Sequence, residues 1–349
     1  MRVAIVNDLP LAVEAIRRTI QSSREHAVAW IAHDGAEAIE RACADRPDAI
    51  LMDMLMPGVD GVEAVRCIMR DAPCPILVVT ATVEGNAARV YEALGHGAID
   101  AVHTPTLGED GRSVDGRELL RKLSQVEVLV RRERARDEPA SAAPSAALRG
   151  ERRIIAVGAS TGGPQALLTL LRGLTRPIAA PILIVQHLGA EFVPGLAAWL
   201  TESAGLPVRL VRGPEPMLAG HAYLAAEEAH LVALDAVTVG TRAEPAHAAH
   251  RPSVDELFGS CAALATEGIA GVGVLLTGMG RDGAEGLLRL RRAGWWTIAQ
   301  DRASSVVWGM PGEAVRCGAA IETLPLAQIG RSVSVALSGR GLGPKGANR

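Results

Sequence analysis

Short apolar runs, each closed by polar residues and followed by a stretch with helical spacing, recur through the first 120 residues. The runs are Val3-Ala4-Ile5-Val6, Val28-Ala29-Trp30-Ile31, Ala49-Ile50-Leu51-Met52, Ile76-Leu77-Val78-Val79 and Ala98 to Thr104. The helical stretches are Leu11 to Ile20, Ala36 to Cys43, Val62 to Met69, Ala87 to Leu94 and a segment from about Glu118. Five such units predict a parallel sheet with helices on both faces. A sheet of that kind holds its ligand site beyond the carboxyl ends of its strands. Asp8, Asp53, Thr80 and Thr104 all fall there. Two carboxylates meeting at one edge suit a hard divalent cation such as Mg²⁺, whereas either one alone reads as a surface or capping carboxylate.

The second half repeats the alternation around one turn. Ile154-Ile155-Ala156-Val157 runs into Gly158-Ala159-Ser160-Thr161-Gly162-Gly163, and helical spacing follows from Pro164 to Leu171. Residues 158–162 fit G-x-S-x-G, the spacing of a nucleophile elbow. Flanking glycines permit a sharp bend that holds the serine Oγ beyond the strand, and the next helix offers N–H groups to an oxyanion. A plain strand–helix turn or a phosphate cradle has the same appearance. Ala180 to Gln186 is a further apolar strand ending at His187, and Gly271 to Leu276 is another, ending in a glycine turn that carries Asp282. If these strands are parallel neighbours, Ser160, His187 and Asp282 converge on one edge as nucleophile, base and orienting carboxylate. The chain order Ser, His, Asp differs from the Ser, Asp, His of α/β-hydrolases, so the fold is a different one.

Two other chemistries remain open on spacing. Gly278-Met279-Gly280-Arg281-Asp282-Gly283 also matches G-x-G-x-x-G, and Asp301 follows at the distance of a ribose-binding acid, which predicts a nicotinamide site. Glu244, His247 and His250 loosely resemble metal ligands without forming H-E-x-x-H. Charge narrows the partners: 36 basic against 39 acidic side chains give a net charge of −3, against a nucleic-acid protein with a dominant basic face. No apolar run reaches the length of a membrane span, no signal peptide precedes the first strand, and five cysteines form no C-x-x-C. A cytoplasmic protein with reduced thiols is expected. The mixed-charge run Arg131 to Glu138 and the Ala/Ser/Pro stretch Pro139 to Leu148 read as a solvated helix end and a flexible linker.

Family resemblance sharpens these readings. The segment Met52-Asp53-Met54-Leu55-Met56-Pro57-Gly58-Val59-Asp60-Gly61 resembles the phosphoacceptor region of response-regulator receiver domains. The resemblance implies phosphorylation of Asp53 by a CheA-like histidine kinase, Mg²⁺ held by Asp8, Asp53 and the Leu55 carbonyl, and Thr80 as the switch hydroxyl. Two positions depart from that family's usual pattern: Asn7-Asp8 stands for an acidic pair, and Thr104-Pro105 stands for Lys-Pro. Residues from about 152 to 330 resemble the catalytic domain of CheB, the chemoreceptor protein-glutamate methylesterase. The matching signatures are the turn at 158–163, Gln186-His187, His250-Arg251-Pro252-Ser253-Val254-Asp255 and Thr277 to Gly283. The opening Ile5 to Glu14 is similar to members of that family serving the Wsp surface-sensing pathway.

The resemblance implies an α/β protein: a flavodoxin-like (βα)5 receiver domain at 1–122, a helix end and flexible linker at 123–150, a doubly wound, mostly parallel methylesterase domain at 151–330, and a disordered tail at 331–349. It implies a phosphorylation-regulated serine esterase that hydrolyses glutamate γ-methyl esters on methyl-accepting chemoreceptors, releases methanol and deamidates receptor glutamines. The esterase needs no cofactor. Ser160, His187 and Asp282 carry the triad, and the Thr161 and Met279 backbone N–H groups are the expected oxyanion donors. The protein is expected at membrane receptor arrays without entering the membrane. A non-hydrolytic receiver-based adaptor is the alternative from another class.

Overall fold

The structure, a computed structural model, describes residues 1–81, 87–108, 113–114, 116–133, 152–226, 229–245 and 250–338, and element counts are of those residues. The chain forms two compact units, Met1–Arg136 and Asp137–Arg349.

The first unit alternates β1 (Arg2–Val6), α1 (Pro10–Ser22), β2 (Ala27–Ala32), α2 (Gly35–Ala44), β3 (Ala49–Met52), α3 (Gly61–Asp71), β4 (Ile76–Thr80), α4 (Ala87–Gly95) and β5 (Asp100–His103). The five strands pair in parallel in the order β2-β1-β3-β4-β5. That is the doubly wound arrangement the five apolar runs require, and β1, β3 and β4 are apolar almost throughout because helices cover both faces. A short hairpin, β6 (Thr106–Leu107) with β7 (Ser113–Val114), follows β5, and a final helix α5 spans Gly116–Glu133. The expected receiver boundary at 122 is therefore too early. Leu119, Leu123 and Val126 of α5 join Val13, Ile16 and Ile20 of α1 in one core, so the helix belongs to this unit well past 122. The expected linker falls mainly on residues 134–151, outside the described residues. Lys122 of α5 also reaches inward, to a buried ion pair with Asp100 at 2.7 Å.

The second unit continues with β8 (Arg152–Ala159), α6 (Gly163–Gly173), β9 (Ile182–Gln186), α7 (Val193–Ala204), β10 (Val208–Val211), β11 (Glu215–Pro216), β12 (Ala222–Ala225), β13 (His230–Ala233) and β14 (Thr238–Arg242). It closes with α8 (Val254–Ala263), β15 (Ile269–Leu275), α9 (Ala284–Arg292), β16 (Trp296–Gln300), α10 (Met310–Arg316), β17 (Glu322–Leu324) and α11 (Leu326–Leu337). Seven strands pair in parallel in the order β10-β12-β9-β8-β15-β16-β17. β11, β14 and β13 form a separate antiparallel sheet that the sequence pattern did not anticipate. From β8 the chain winds outward through β9, then returns to the other side of β8 as β15. The order reverses there, which opens a crevice beyond the carboxyl ends of β9, β8 and β15.

Residues 331–337, expected to belong to a disordered tail, lie in α11, which runs to Leu337. Ser, Gly and Arg in this stretch suggest disorder, yet Ile329 and Val333 are one helical turn apart and buried. Gly330 sits against Gly173 of α6, where a Cβ would come within 2.8 Å of the Gly173 Cα. The absence of side chains lets the two helices approach, and Ser334 Oγ accepts the Thr175 N–H at 2.8 Å. Residues 339–349 lie outside the described residues.

Candidate active site

β8 delivers Ser160 one residue beyond its end, and the backbone turns into α6 within three residues. The Ser160 N–H donates to the Thr277 carbonyl at 3.0 Å, and the Ser160 carbonyl accepts from Gly163 N–H at 2.7 Å and from Gln186 Nε2 at 2.8 Å. Gly162 occupies the left-handed region at φ 76°, which favours glycine. Gly158, expected to serve the bend, instead makes room for α8, because a Cβ there would overlap Val254. Gly163 is also required for space, since a Cβ would overlap the Gln186 amide that holds the turn. Gly278 lies against the serine itself, where a Cβ would come within 2.7 Å of the Ser160 Cβ.

β9 is the hydrogen-bonded neighbour of β8, with Ala159 and Gln186 in register. Ser160 and His187 are the next residues on each strand, and the His187 N–H donates to the Ala159 carbonyl at 3.0 Å. Neighbouring strands lie about 4.8 Å apart, so the two side chains leave the sheet side by side. Asp282 comes from the turn after β15, on the other side of β8. Its Oδ2 lies 2.8 Å from His187 Nε2. His187 Nδ1 is buried and has no hydrogen-bond partner among the described residues.

Asp282 is held by more than the histidine. Oδ2 also accepts the Val254 N–H at 2.8 Å, while Oδ1 accepts the Asp255 N–H at 3.1 Å and the Ser253 hydroxyl at 2.9 Å. The carboxylate thus caps the first turn of α8, not the helix that follows it in sequence. Burial alone would raise its pKa, but the His187 hydrogen bond and charge, with the two backbone N–H groups, hold it below the ordinary carboxylate range. The adjacent Asp255 moves the other way, pushed up to about 6 by burial and, against the Gly286 N–H, by the charge of Asp282. The ring of His250 stacks on His187 with centroids 4.1 Å apart.

The turn at 278–283 does not have the form of a dinucleotide loop. Gly280 and Gly283 take left-handed conformations, but Gly309 packs on the turn's backbone, where a Cβ would come within 2.7 Å of the Gly278 carbonyl and 2.8 Å of the Gly280 nitrogen. The protein's own chain occupies the face a pyrophosphate would need. Asp301 accepts from Ser304 N and Oγ at 2.9 and 2.6 Å, within its own loop. His247 lies outside the described residues, and the ring of His250 faces His187. Thr161 and Met279 flank Ser160 and the glycine turn. The Thr161 carbonyl accepts the Thr277 hydroxyl at 2.9 Å, which fixes the peptide after the serine.

The first unit has its own polar edge. Asp53 follows β3, and its Oδ1 accepts the Met54 and Leu55 N–H groups at 2.7 and 3.4 Å. Asn7 Nδ2 donates to Asp53 Oδ2 at 3.1 Å, while Asn7 Oδ1 accepts the Leu9 N–H at 2.8 Å. Burial pushes the Asp53 carboxyl above its ordinary value, with Asp8's charge adding to the rise and the two backbone N–H groups opposing it. Asp8 Oδ1 is buried without a hydrogen-bond partner among the described residues. An orphaned carboxylate oxygen beside a second carboxylate fits a hard divalent cation. Thr80 ends β4 and is buried, and the Thr104 N–H donates to its carbonyl at 3.0 Å.

Ser253 and His230 were not singled out by spacing, although His250 to Asp255 carries part of the family resemblance. Their relation to Asp282 depends on where α8 starts in space, which no local pattern reveals.

Residues 155–333 match the CheB methylesterase family, and residues 3–110 match the response regulator receiver domain. The chain is 47% identical over 329 residues to protein-glutamate methylesterase/protein-glutamine glutaminase 1 of Pseudomonas fluorescens, covering 94% of this chain and 97% of the relative. It is 46% identical over 338 residues to the protein-glutamate methylesterase/protein-glutamine glutaminase of Mesorhizobium japonicum, covering 95% and 98%. With protein-glutamate methylesterase/protein-glutamine glutaminase 3 of Pseudomonas aeruginosa it shares 45% identity, covering 94% and 97%.

Proposed function

The chain belongs to the CheB methylesterase family, and on that premise we propose that it is a phosphorylation-controlled serine esterase acting on glutamate γ-methyl esters of chemoreceptors. The observation that carries this reading is the His187–Asp282 pair, with His187 Nδ1 unpartnered among the described residues and His187 opposite Ser160 on the neighbouring strand. Because Nε2 faces the carboxylate, Nδ1 is the nitrogen that takes the Ser160 proton. Ser160 Oγ attacks the ester carbonyl, and the Thr161 and Met279 N–H groups stabilise the oxyanion. His187 returns the proton to the departing methoxy group, and methanol leaves. Water then attacks the acyl-enzyme with His187 as base, which frees glutamate and regenerates the serine. A receptor glutamine follows the same course with ammonia as leaving group.

Asp53 is the phosphoacceptor in this reading, and a histidine kinase of the CheA type is the donor. Asp8, Asp53 and the Leu55 carbonyl would hold Mg²⁺, which neutralises charge during phosphoryl transfer. Thr80 is the switch hydroxyl. Asn7 gives Asp53 one neutral hydrogen bond where the family usually has a second carboxylate. Among the described residues no helix is long and apolar enough to cross a membrane. The likeness of the opening segment to Wsp-type members points to a receptor whose output is a diguanylate cyclase. Deleting the protein should then change the cellular cyclic dinucleotide level and leave swimming bias alone.

Ser160→Ala tests the chemistry. It should leave a folded protein that releases methanol from methyl-labelled receptor on the order of 10⁴-fold more slowly or worse. A near-normal rate would sink the serine mechanism, and no methanol release from the wild-type protein would return the adaptor reading to contention.

A further inference from the structure

Of the four hydrogens that Asp282 receives, one comes from a hydroxyl that is itself fixed from both sides. Ser253 is 5% exposed and stands immediately before α8. Its Oγ accepts the Glu256 N–H at 3.4 Å as the helix N-cap, which leaves its proton for Asp282 Oδ1 at 2.9 Å. Its N–H donates to Nδ1 of His230 at 3.1 Å. His230 is fully buried, and a ring nitrogen that accepts an N–H carries no proton. The proton therefore sits on Nε2, which faces the Pro245 carbonyl at 3.3 Å. A hydrogen-bonded chain thus runs from Pro245 through His230, the Ser253 backbone, the Ser253 hydroxyl and Asp282 to His187.

We propose that Ser253 is a positioning residue of the esterase, locked by His230 and acting on His187 through Asp282. Asp282 needs such support. It sits between Gly280 and Gly283, both in left-handed conformations, so its own backbone does little to aim the carboxylate. Its other backbone donors, Val254 and Asp255, lie in the turn that Ser253 caps. One serine thus sets the helix turn and supplies a charge-assisted hydrogen bond of its own. His230 contributes as a neutral strut: a protonated ring would have to release the Ser253 N–H.

The inference rests on the assignment of Asp282 as the partner of His187, and the test separates the two. The full chain is assayed on a receptor cytoplasmic fragment carrying radiolabelled glutamyl methyl esters. Glycine is nearly as good an N-cap as serine but has no hydroxyl. Ser253→Gly should therefore keep the α8 cap and still unfold cooperatively, with some loss of stability from the missing bond to Asp282, while kcat falls about 10- to 100-fold, the scale of a hydrogen bond to a charged group, with KM within about twofold. Ser253→Thr keeps the hydroxyl and should recover most of the rate. In an Asp282→Asn background, Ser253→Gly should cost little more. An unchanged kcat in Ser253→Gly, or a full additional loss in that background, overturns the role of Ser253. A wild-type rate in Asp282→Asn alone overturns the underlying assignment instead. If Ser253→Thr does not fold, the two glycine measurements decide alone.

Discussion

Asp282→Asn changes one atom at the centre of a four-donor cage, and the donors of that cage set its consequences. The amide can place its NH₂ at either carboxylate position. At the Oδ1 position it confronts the Asp255 N–H, while the Ser253 hydroxyl can rotate to accept. At the Oδ2 position it confronts the Val254 N–H, and His187 can meet it only by accepting at Nε2. That second choice puts the histidine proton on Nδ1, where it blocks the Ser160 proton transfer. Either orientation strands one buried backbone N–H, at a cost of about 1–3 kcal/mol. Loss of the negative charge at the start of α8 adds about 0.3–1 kcal/mol. Stability should fall by about 1–4 kcal/mol, the sum of those two costs, measurable by urea denaturation near neutral pH. Catalysis should fall about 10²-fold in the first orientation, where a neutral acceptor replaces the carboxylate, and toward 10⁴-fold in the second, where the tautomer is wrong. Steady-state methanol release measures the fall. Asp282 is held below the ordinary carboxylate range in the folded state, so its stabilisation is present above about pH 4 and lost as pH drops through the folded value. The variant should lack that part of the acid dependence. A variant within about tenfold of wild-type kcat would refute the tautomer argument.

Other outcomes rest on the same contacts. Lys122→Met should destabilise the receiver unit by about 3–5 kcal/mol in urea, because Asp100 is left buried without its partner, and pairing it with Asp100→Leu should restore most of the loss. Asp255 has its folded pKa raised to about 6, so its stabilisation is present below about pH 4 and lost as pH rises through 6. Asp255→Asn keeps an acceptor for the Gly286 N–H and should remove that decline, which melting curves between about pH 4 and 8 would show. Asp53→Ala should abolish activation by a small-molecule phosphodonor without changing basal methanol release. Thr104→Lys should enlarge the activation, since a lysine answers the phosphoryl charge with a hydrogen bond about twice as strong as a threonine can offer. An equal response in wild type and Asp53→Ala would exclude Asp53 as the switch.

The two parallel sheets, and the strand ends at which Ser160, His187, Asp53 and Thr80 fall, were legible in the chain because they follow from short-range rules. Apolar runs such as Ile154–Val157 and Ile182–Val185 bury both faces and must be parallel strands, and a strand-end residue must then sit at the ligand edge. The double identity of the turn at 278–283 was beyond those rules. Its glycines fit two chemistries, and only the packing of Gly309 on its backbone and the aim of Asp282 at α8 distinguish them. The same limit applies to α11, whose residues 331–337 read as tail until Gly330 is seen packed on Gly173. It applies most to His230 and Ser253. They stand 23 residues apart and act together through a single N–H···N bond, an arrangement that exists only once the antiparallel sheet brings β13 to the start of α8. Periodicity reports which face of an element is buried; which buried groups meet is decided by how elements distant in sequence pack.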